Sequence, residues 1–379
     1  MNFEFTEEQK MIQQAARDFA QRQLITDVIE RDEKAEYPTE HVKTLAELGF
    51  LGMLVSPDYD GGGMDTVSYV LAMEEISKVD SSVSVIMSVN NSLVCYGIEA
   101  FGTEEQKEKW LKPLARGDKI GAFLLSEPEA GSDATSQRTT AEDKGDYYLL
   151  NGTKNWITNG NTAGTYVVIA QTHPEKKHKG INVFLVDRHS EGIAIAPHEN
   201  KMGMRSSDTH SVTFTDVKVP KENRIGDDGF GFKFAMKTLD GGRIGIASQA
   251  LGIASGAMER AVQYAKERKA FGTEIANHQA IAFKLSDMRV KVENARNLCL
   301  KAAWLKDQGQ PYGVASAMAK QYAADIAMDV TTEAVQIHGG YGYVKEYHVE
   351  RLMREAKLTQ IYEGTSEVQK IVISRDMLK

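Results

Sequence analysis

The chain has 379 residues, 42% hydrophobic and 26% charged, ordinary values for a globular protein with a large core in two or three domains. Its net charge of −8 disfavours a nucleic-acid binder, whose affinity rests on neutralising phosphates, but leaves room for a small anionic ligand on a local basic patch. The acidic start, Met1-Asn2-Phe3-Glu4-Phe5-Thr6-Glu7-Glu8, lacks the basic and apolar run of a signal peptide, and no run of about 18 apolar residues predicts a membrane span.

Residues 6–120 read as helices. Thr6 with Gln9 makes a possible capping box, and Met11, Ala15, Phe19 and Ile12, Ala16 mark helical faces. Pro38-Thr39 opens a helix that stops at Gly49, and Pro57–Gly63 reads as a loop. Mostly apolar helices are predicted around 66–79 and 82–100, and Phe101-Gly102-Thr103 leads into a charged helix over 103–116. Cys95 and Cys299 form no CxxC and no zinc pattern. They read as buried thiols in a reducing cytoplasm, the expected compartment, with no metal site.

From about 121 to 219 the hydrophobic period changes to two. Tyr147–Leu150 runs into Asn151-Gly152, a strong hairpin signal with Lys154–Thr158 as the return strand. Further strands are expected at 165–172, 180–187, 192–196 and 209–217. About eight short strands with turn signals predict a small barrel or sandwich. From about 227 long helices return, near 230–265, through Ile281–Ala302, over 312–337 and over 365–378, punctuated by Gly272, Gly309 and Gly339. The fold class is mainly α with a central β domain: an N-terminal helical domain over 1–120, a β-barrel or sandwich over 121–226, and a C-terminal four-helix bundle over 227–379.

Five segments could carry chemistry. Leu125–Asp133 ends the first strand in a loop rich in hydroxyls and free N–H groups, which suits a ring edge or a phosphate and equally an ordinary surface loop. Trp156 and Thr158 share one face of a strand, which suits stacking on a planar cofactor, and Trp156 fits plain core as well. Arg268 near a helix end is either dipole stabilisation or a phosphate ligand. Gln336–Gly342 carries three glycines, which permit close backbone approach or make a plain cap. His338 has no histidine or cysteine at metal spacing. The run Gly226–Gly231 lacks a Walker lysine and reads as a turn opening the next helix. Finally, Glu363 sits between Tyr362 and Gly364, where Ser366 with Gln369 reads as a capping box. That is where a base for proton abstraction beside a carbonyl could stand. A solvated first-turn acid is the alternative.

In order, these segments resemble the acyl-CoA dehydrogenase family of flavoproteins over essentially the whole chain. Leu239–Gly245 and Ile361–Glu367 are most similar to its short-chain, butyryl-CoA-dehydrogenase-like branch. The resemblance implies FAD, bound non-covalently, with Leu124, Leu125, Ser126, Ser132, Asp133, Trp156, Ile157 and Thr158 along its ring system. It implies that Arg268, Phe271, Gln279, Gln336, Ile337, Gly339 and Gly340 of a neighbouring subunit, with Thr365 and Glu367, hold the rest of the cofactor. Ser132, Asp240, Gly241, Gly242, Arg243 and Gly364 would lie along an acyl-CoA, and Glu363 would be the catalytic base. It further implies a homotetramer built as a dimer of dimers and an electron-transfer flavoprotein as partner. Ser126 stands where many members carry threonine. Glu129 is an unexpected acid in its loop, and Gly242 stands where some members carry the base. An oxygen-reactive oxidase or monooxygenase on the same fold, and a non-catalytic CoA- or flavin-binding protein, are the competing expectations.

Overall fold

The computed structural model describes residues 4–379; Met1-Asn2-Phe3 of the acidic start lie outside the described residues. Helix α1 (Glu7–Arg22) opens on the expected capping box. Thr6 Oγ1 accepts from Gln9 N at 3.2 Å, and Gln9 Oε1 accepts from Thr6 N at 3.0 Å. Its buried stripe is Ile12, Ala16, Phe19 and Ala20, while Met11 faces out. Helices α2 (Val28–Lys34) and α3 (Thr39–Glu47) follow, then α4 (Thr66–Ser77) and α5 (Ser81–Ser88), each of the latter two capped by an aspartate, Asp65 and Asp80.

Two π-helical turns interrupt what the sequence reads as plain helix. Val89–Cys95 joins α5 to α6 (Tyr96–Phe101), and Lys107–Leu111 joins α7 (Glu104–Gln106) to α8 (Lys112–Ala115). The first turn aims Asn90 inward. Its Nδ2 donates to Leu51 O at 2.8 Å and Leu114 O at 3.2 Å, and its Oδ1 accepts from Gly121 N at 2.9 Å. One buried amide thus satisfies three backbone groups that the core would otherwise strand.

The β domain is a curled sheet of seven strands among the described residues: β1 (Gly121–Leu124), β2 (Thr140–Asp143), β3 (Tyr147–Thr158), β4 (Thr165–Gln171), β5 (Ile181–Asp187), β6 (Ile193–Ile195) and β7 (Thr209–Pro220). Their order is β1-β4-β2-β3-β7-β6, with β5 on β4. The expected hairpin at Asn151-Gly152 does not form: β3 runs straight through it. Asn151 instead clamps the partner strand, donating to Asp216 Oδ1 at 3.0 Å and accepting from Asp216 N at 2.9 Å. The register of β3 on β7 slips between Leu150 and Gly152 and again between Lys154 and Ile157. A turn pair has been absorbed as a bulge. A side chain at Gly152 would lie 2.6 Å from Thr139.

The C-terminal domain comprises α9 (Gly231–Glu267), a two-residue pairing of β8 (Lys269–Ala270) with β9 (Thr273–Glu274), then α10 (Gln279–Asp307), α11 (Gly313–His338), α12 (Val349–Thr359) and α13 (Ser366–Met377). Helix α12 is absent from the sequence-based expectation because charged residues crowd its buried face. Arg351 donates to Glu355 Oε1 and to Val79 O, both at 2.7 Å, and Arg354 reaches Asp32 Oδ2 at 2.8 Å. The last helix is capped by Thr365, whose Oγ1 accepts from Val368 N at 3.3 Å. Ser366, read as the cap, lies inside the helix and donates to Asp325 Oδ1 at 2.9 Å.

The helical domains meet along α9, whose glycines let other backbones come close. A Cβ at Gly252 would stand 2.5 Å from Glu74 O, and one at Gly256 2.4 Å from Lys78 O. Beside this seam the buried Glu74 accepts from Ser255 Oγ at 3.0 Å and from two nitrogens of Arg296, at 2.5 and 3.1 Å. Gly252→Val should force α4 off α9 and lower stability by about 1–3 kcal/mol, the usual range for overpacking. The urea midpoint should fall at an unchanged m-value. An unaltered midpoint would mean that the two helices separate at no cost.

Candidate active site

Glu363 stands between α12 and α13 with φ +51°, followed by Gly364 at +89°. A left-handed glutamate is uncommon and persists only when neighbours hold it. Three groups do so. Lys320 Nζ, on α11, donates to Gly364 O at 2.7 Å; Gln369 Nε2 donates to Gly364 O at 2.9 Å and to Glu363 O at 3.3 Å. Tyr362 donates its hydroxyl to Gln249 Oε1, and Gln249 is itself anchored on Ser81 O and Ser84 Oγ at 2.9 Å each. Among the described residues no acceptor takes the Glu363 N–H.

The carboxyl points at α9. Its Oε2 is sealed from solvent and has no hydrogen-bond partner. A Cβ added at Gly242 would lie 2.2 Å from that oxygen and 2.7 Å from Leu93 Cδ2. Gly242 therefore cannot carry a base; it vacates the space that the Glu363 carboxyl occupies. Burial pushes the carboxyl up to about 7, against the opposing cations Lys320 and Arg243. Around it, the Tyr69 hydroxyl is buried without a partner. Arg243 Nη1 donates to Asp240 Oδ1 at 2.6 Å. Gly241 faces open contact, with Tyr312 OH 3.9 Å and Lys306 Nζ 4.0 Å from an added Cβ. Glu363, Gly364, Gly242 and Arg243 thus come together, with Asp240 and Gly241 beside them.

A second set gathers elsewhere. Arg268, Ile337, Gly339 and Gly340 line a cleft of about 430 Å³ with Tyr264, His338 and Tyr341. The Arg268 guanidinium lies 5.6 Å from the Tyr341 ring centroid, and among the described residues it has no ion-pair partner. Nothing lies within 4 Å of a Cβ added at Gly339 or Gly340, so both backbones are open to a ligand. Phe271, Gln279 and Gln336 are exposed outside that cleft. His338 is taken up by Ala334 O, 2.7 Å from its Nδ1, and by stacking on Tyr264. No cluster of metal ligands occurs among the described residues.

On the sheet, Leu124 and Ile157 are buried in the β-domain core, so they offer a ligand only backbone atoms. Trp156 is 62% exposed at φ +61°, in the second bulge of β3. Leu125, Ser126 and Thr158 are half-buried, and Ser132 and Asp133 are exposed. Their loop is held from beneath by Lys154, which reaches Leu125 O, Glu127 Oε1 and Gln137 Oε1 at 2.8–3.0 Å. Glu129 pairs with Arg138 at 2.6 Å on the surface, which accounts for that acid. Thr365 caps α13, and Glu367 is exposed in its first turn. The sequence reading does not reach Lys320, Gln249 or Tyr69, and it takes Gln369 for half of a capping box where its amide instead donates to Glu363 O and Gly364 O. Lys320 left one signal, a lysine within the alanine-rich stripe of α11.

Family models describing the N-terminal, middle and C-terminal domains of acyl-CoA dehydrogenase match residues 6–118, 122–217 and 229–378. The chain is 51% identical over 374 residues to a short-chain specific acyl-CoA dehydrogenase of Clostridium acetobutylicum, covering 99% of both. It is 48% identical over 376 residues to the caffeyl-CoA reductase-Etf complex subunit CarC of Acetobacterium woodii, again covering 99% of both. The solved butyryl-CoA dehydrogenase of Megasphaera elsdenii superposes with a TM-score of 0.99, at 48% identity and full coverage of both chains.

The buried carboxyl also sets a stability test. Its value rises on folding from 4.5 to about 7, so the native state binds that proton more tightly than the unfolded chain. The stability this confers is complete below the unfolded value and is lost as pH rises through about 7. Glu363→Gln removes the loss. By calorimetry the variant should melt above the parent at about pH 8, and the gap should close toward pH 4.5. Equal Tm values at the higher pH would mean that the carboxylate is solvated.

Proposed function

The chain belongs to the acyl-CoA dehydrogenase family, and on that premise we propose that it dehydrogenates a short acyl-CoA thioester to trans-2-enoyl-CoA with Glu363 as base. One observation carries the reading: a carboxyl with its inner oxygen sealed and unbonded, held at about 7 against the bare backbone of Gly242. A group poised near neutrality is suited to both states of a proton transfer. In its ionised form Glu363 takes the α-proton of the thioester. The unused Glu363 N–H is available to the carbonyl oxygen, where charge develops as that proton leaves. The missing side chain at 242 makes room for the Glu363 Oε2, which lies sealed from solvent beside the apolar Leu93.

The residues present fit FAD. The open backbone of Gly339 and Gly340, beside an Arg268 that pairs with no carboxylate among the described residues, suits the pyrophosphate and adenosine end. The exposed Trp156 and the loop Leu125–Asp133, with Thr158, suit the ring system, and Thr365 with Glu367 would complete the cradle. FAD, when bound, supplies the two-electron acceptor for the hydrogen leaving the β-carbon. Arg268, Phe271, Gln279 and Gln336 to Gly340 would serve the cofactor of a neighbouring subunit, in a homotetramer. Ser132 and Asp240 to Arg243 would follow the CoA arm. The short-chain preference rests on the names of the relatives at 51% and 48% identity. An electron-transfer flavoprotein as acceptor rests on the Etf complex of CarC. That relative also favours a second reading of the same site, run in reverse: Glu363 in its protonated form would return a proton to the α-carbon of an enoyl-CoA, with reduced FAD, when bound, as the source of the hydride at the β-carbon. No helix among the described residues is long and apolar enough to cross a membrane.

Glu363→Gln should leave FAD content intact and slow flavin reduction by butyryl-CoA by at least roughly 10²- to 10⁴-fold, the usual cost of losing a general base. Near-normal reduction would move the base elsewhere. Across a straight-chain series, kcat/KM should peak at four to six carbons, with each extra methylene that fits gaining about 0.8 kcal/mol and the first that does not fit ending the rise. A peak at eight carbons or beyond overturns the short-chain reading. Arg268→Ala should release FAD on gel filtration and loosen the assembly, whereas full retention would remove Arg268 from the cofactor site.

A further inference from the structure

The residue that the proposed reaction leaves unexplained is Lys320. It lies on α11 with its side chain entirely out of solvent. An isolated ammonium there is costly, and long amines persist in cores only where something needs them. Its neighbours on the same stripe, Ser316, Ala323 and Ala327, are small and buried, so an apolar residue would pack there at lower cost. Among the described residues Lys320 makes one hydrogen bond and no ion pair. That bond goes to Gly364 O at 2.7 Å, the carbonyl directly after Glu363.

We propose, resting on Glu363 as the base, that Lys320 is a positioning residue for it. Its buried ammonium pins the left-handed turn and supplies a cation against which the Glu363 carboxyl ionises. The turn needs a tether because φ is positive at two successive residues, 363 and 364. Gln369 reaches the same carbonyl at 2.9 Å but carries no charge. Among the influences on the Glu363 carboxyl, Lys320 is the larger of the two cations and Arg243 the smaller. Arg243 is already engaged by Asp240 at 2.6 Å. The remaining titratable groups facing the carboxyl are Tyr69 from α4 and Tyr362 from its own turn, both held neutral by burial. Lys320 itself feels the carboxylates Asp325 and Glu367 as well as Glu363, and the like charge of Arg243 opposes them. Burial draws the amine down to about 8, with Glu363 the first group to oppose that fall. Each of the two thus draws the other back toward its charged form against the pull of burial.

A helix-packing role and a charge role differ in their pH dependence. The experiment is the anaerobic rate of flavin bleaching by butyryl-CoA, followed over pH on the FAD-loaded enzyme. The parent should show an acid limb set by Glu363. In Lys320→Met that limb should move upward by about one pH unit or more, the scale of losing one close opposite charge, with most of the rate recovered on the alkaline side. Lys320→Arg, which keeps the cation, should return the limb to its parental position. Gln369→Leu, which removes the neutral tether, should lower the rate without moving the limb. If Lys320→Met does not fold, Lys320→Gln keeps a donor without the charge and is read by the same criterion. A limb that stays in place while the rate drops equally at every pH overturns the proposal. If the parent enzyme is not bleached by any acyl-CoA, the proposed function has failed instead, so the two failures are separable.

Discussion

The structure depends on how closely α9 lets other backbones approach it. Four of its glycines face different partners: Gly242 the Glu363 carboxyl, Gly245 the hydroxyls of Ser88 and Tyr69, Gly252 the Glu74 carbonyl and Gly256 the Lys78 carbonyl. An added Cβ at each would meet its neighbour at 2.2–2.5 Å: at 242 and 245 a side chain would have to move aside, and at 252 and 256 a backbone carbonyl, which a packed core yields only at a cost. Each glycine weakens an isolated helix by about 1 kcal/mol relative to alanine. Over 37 residues that cost is offset by burial against α4, α10 and α11, where α9 carries much of the main apolar core. One helix therefore fixes both the contact between the helical domains and the space beside the carboxyl.

The same logic governs the electrostatics. A carboxyl with one oxygen sealed and unbonded is driven toward its neutral form, while two cations draw it back. The result lies between the ordinary carboxylate value and that of an unpaired buried acid. Neither force alone gives a base useful near neutrality. The turn geometry matters as much: a left-handed residue between two helices turns the Glu363 side chain toward α9, while α13 begins at once on Thr365.

Much of this was legible in the sequence where local chemistry and tertiary context agree. The change from helical to alternating period marks the sheet, the Thr6 capping box forms as read, and Glu363 between Tyr362 and Gly364 stands out by composition alone. Where tertiary contacts override local preference, the reading fails. Asn151-Gly152 is a turn pair by propensity, yet Asp216 across the ladder satisfies both ends of the Asn151 amide, so the strand continues. Helix α12 hides because its inward face carries Arg351 and Glu355, which look solvent-facing until Val79 O, in the turn after α4, and Ser81, at the start of α5, supply their partners. The π turns leave no local mark. Lys320 is the instructive case, since a lysine in an alanine stripe is a conflict between pattern and charge, and such conflicts gather at functional sites.

The pocket around Glu363 is also assembled from stretches far apart along the chain. The Tyr362–Gln249 bond spans 113 residues, the Ser81–Glu355 bond 274 and the Arg351–Val79 bond 272. Closing such spans costs configurational entropy before any contact returns it, which gives this part of the molecule a high contact order. Helices form in microseconds, well before these loops close. A half-folded chain can therefore hold α9 and α11 intact and still leave the carboxyl hydrated at its ordinary acidity. Chemical competence and complete tertiary closure then arrive as a single event, and a partly folded molecule carries an inert glutamate rather than a misdirected base.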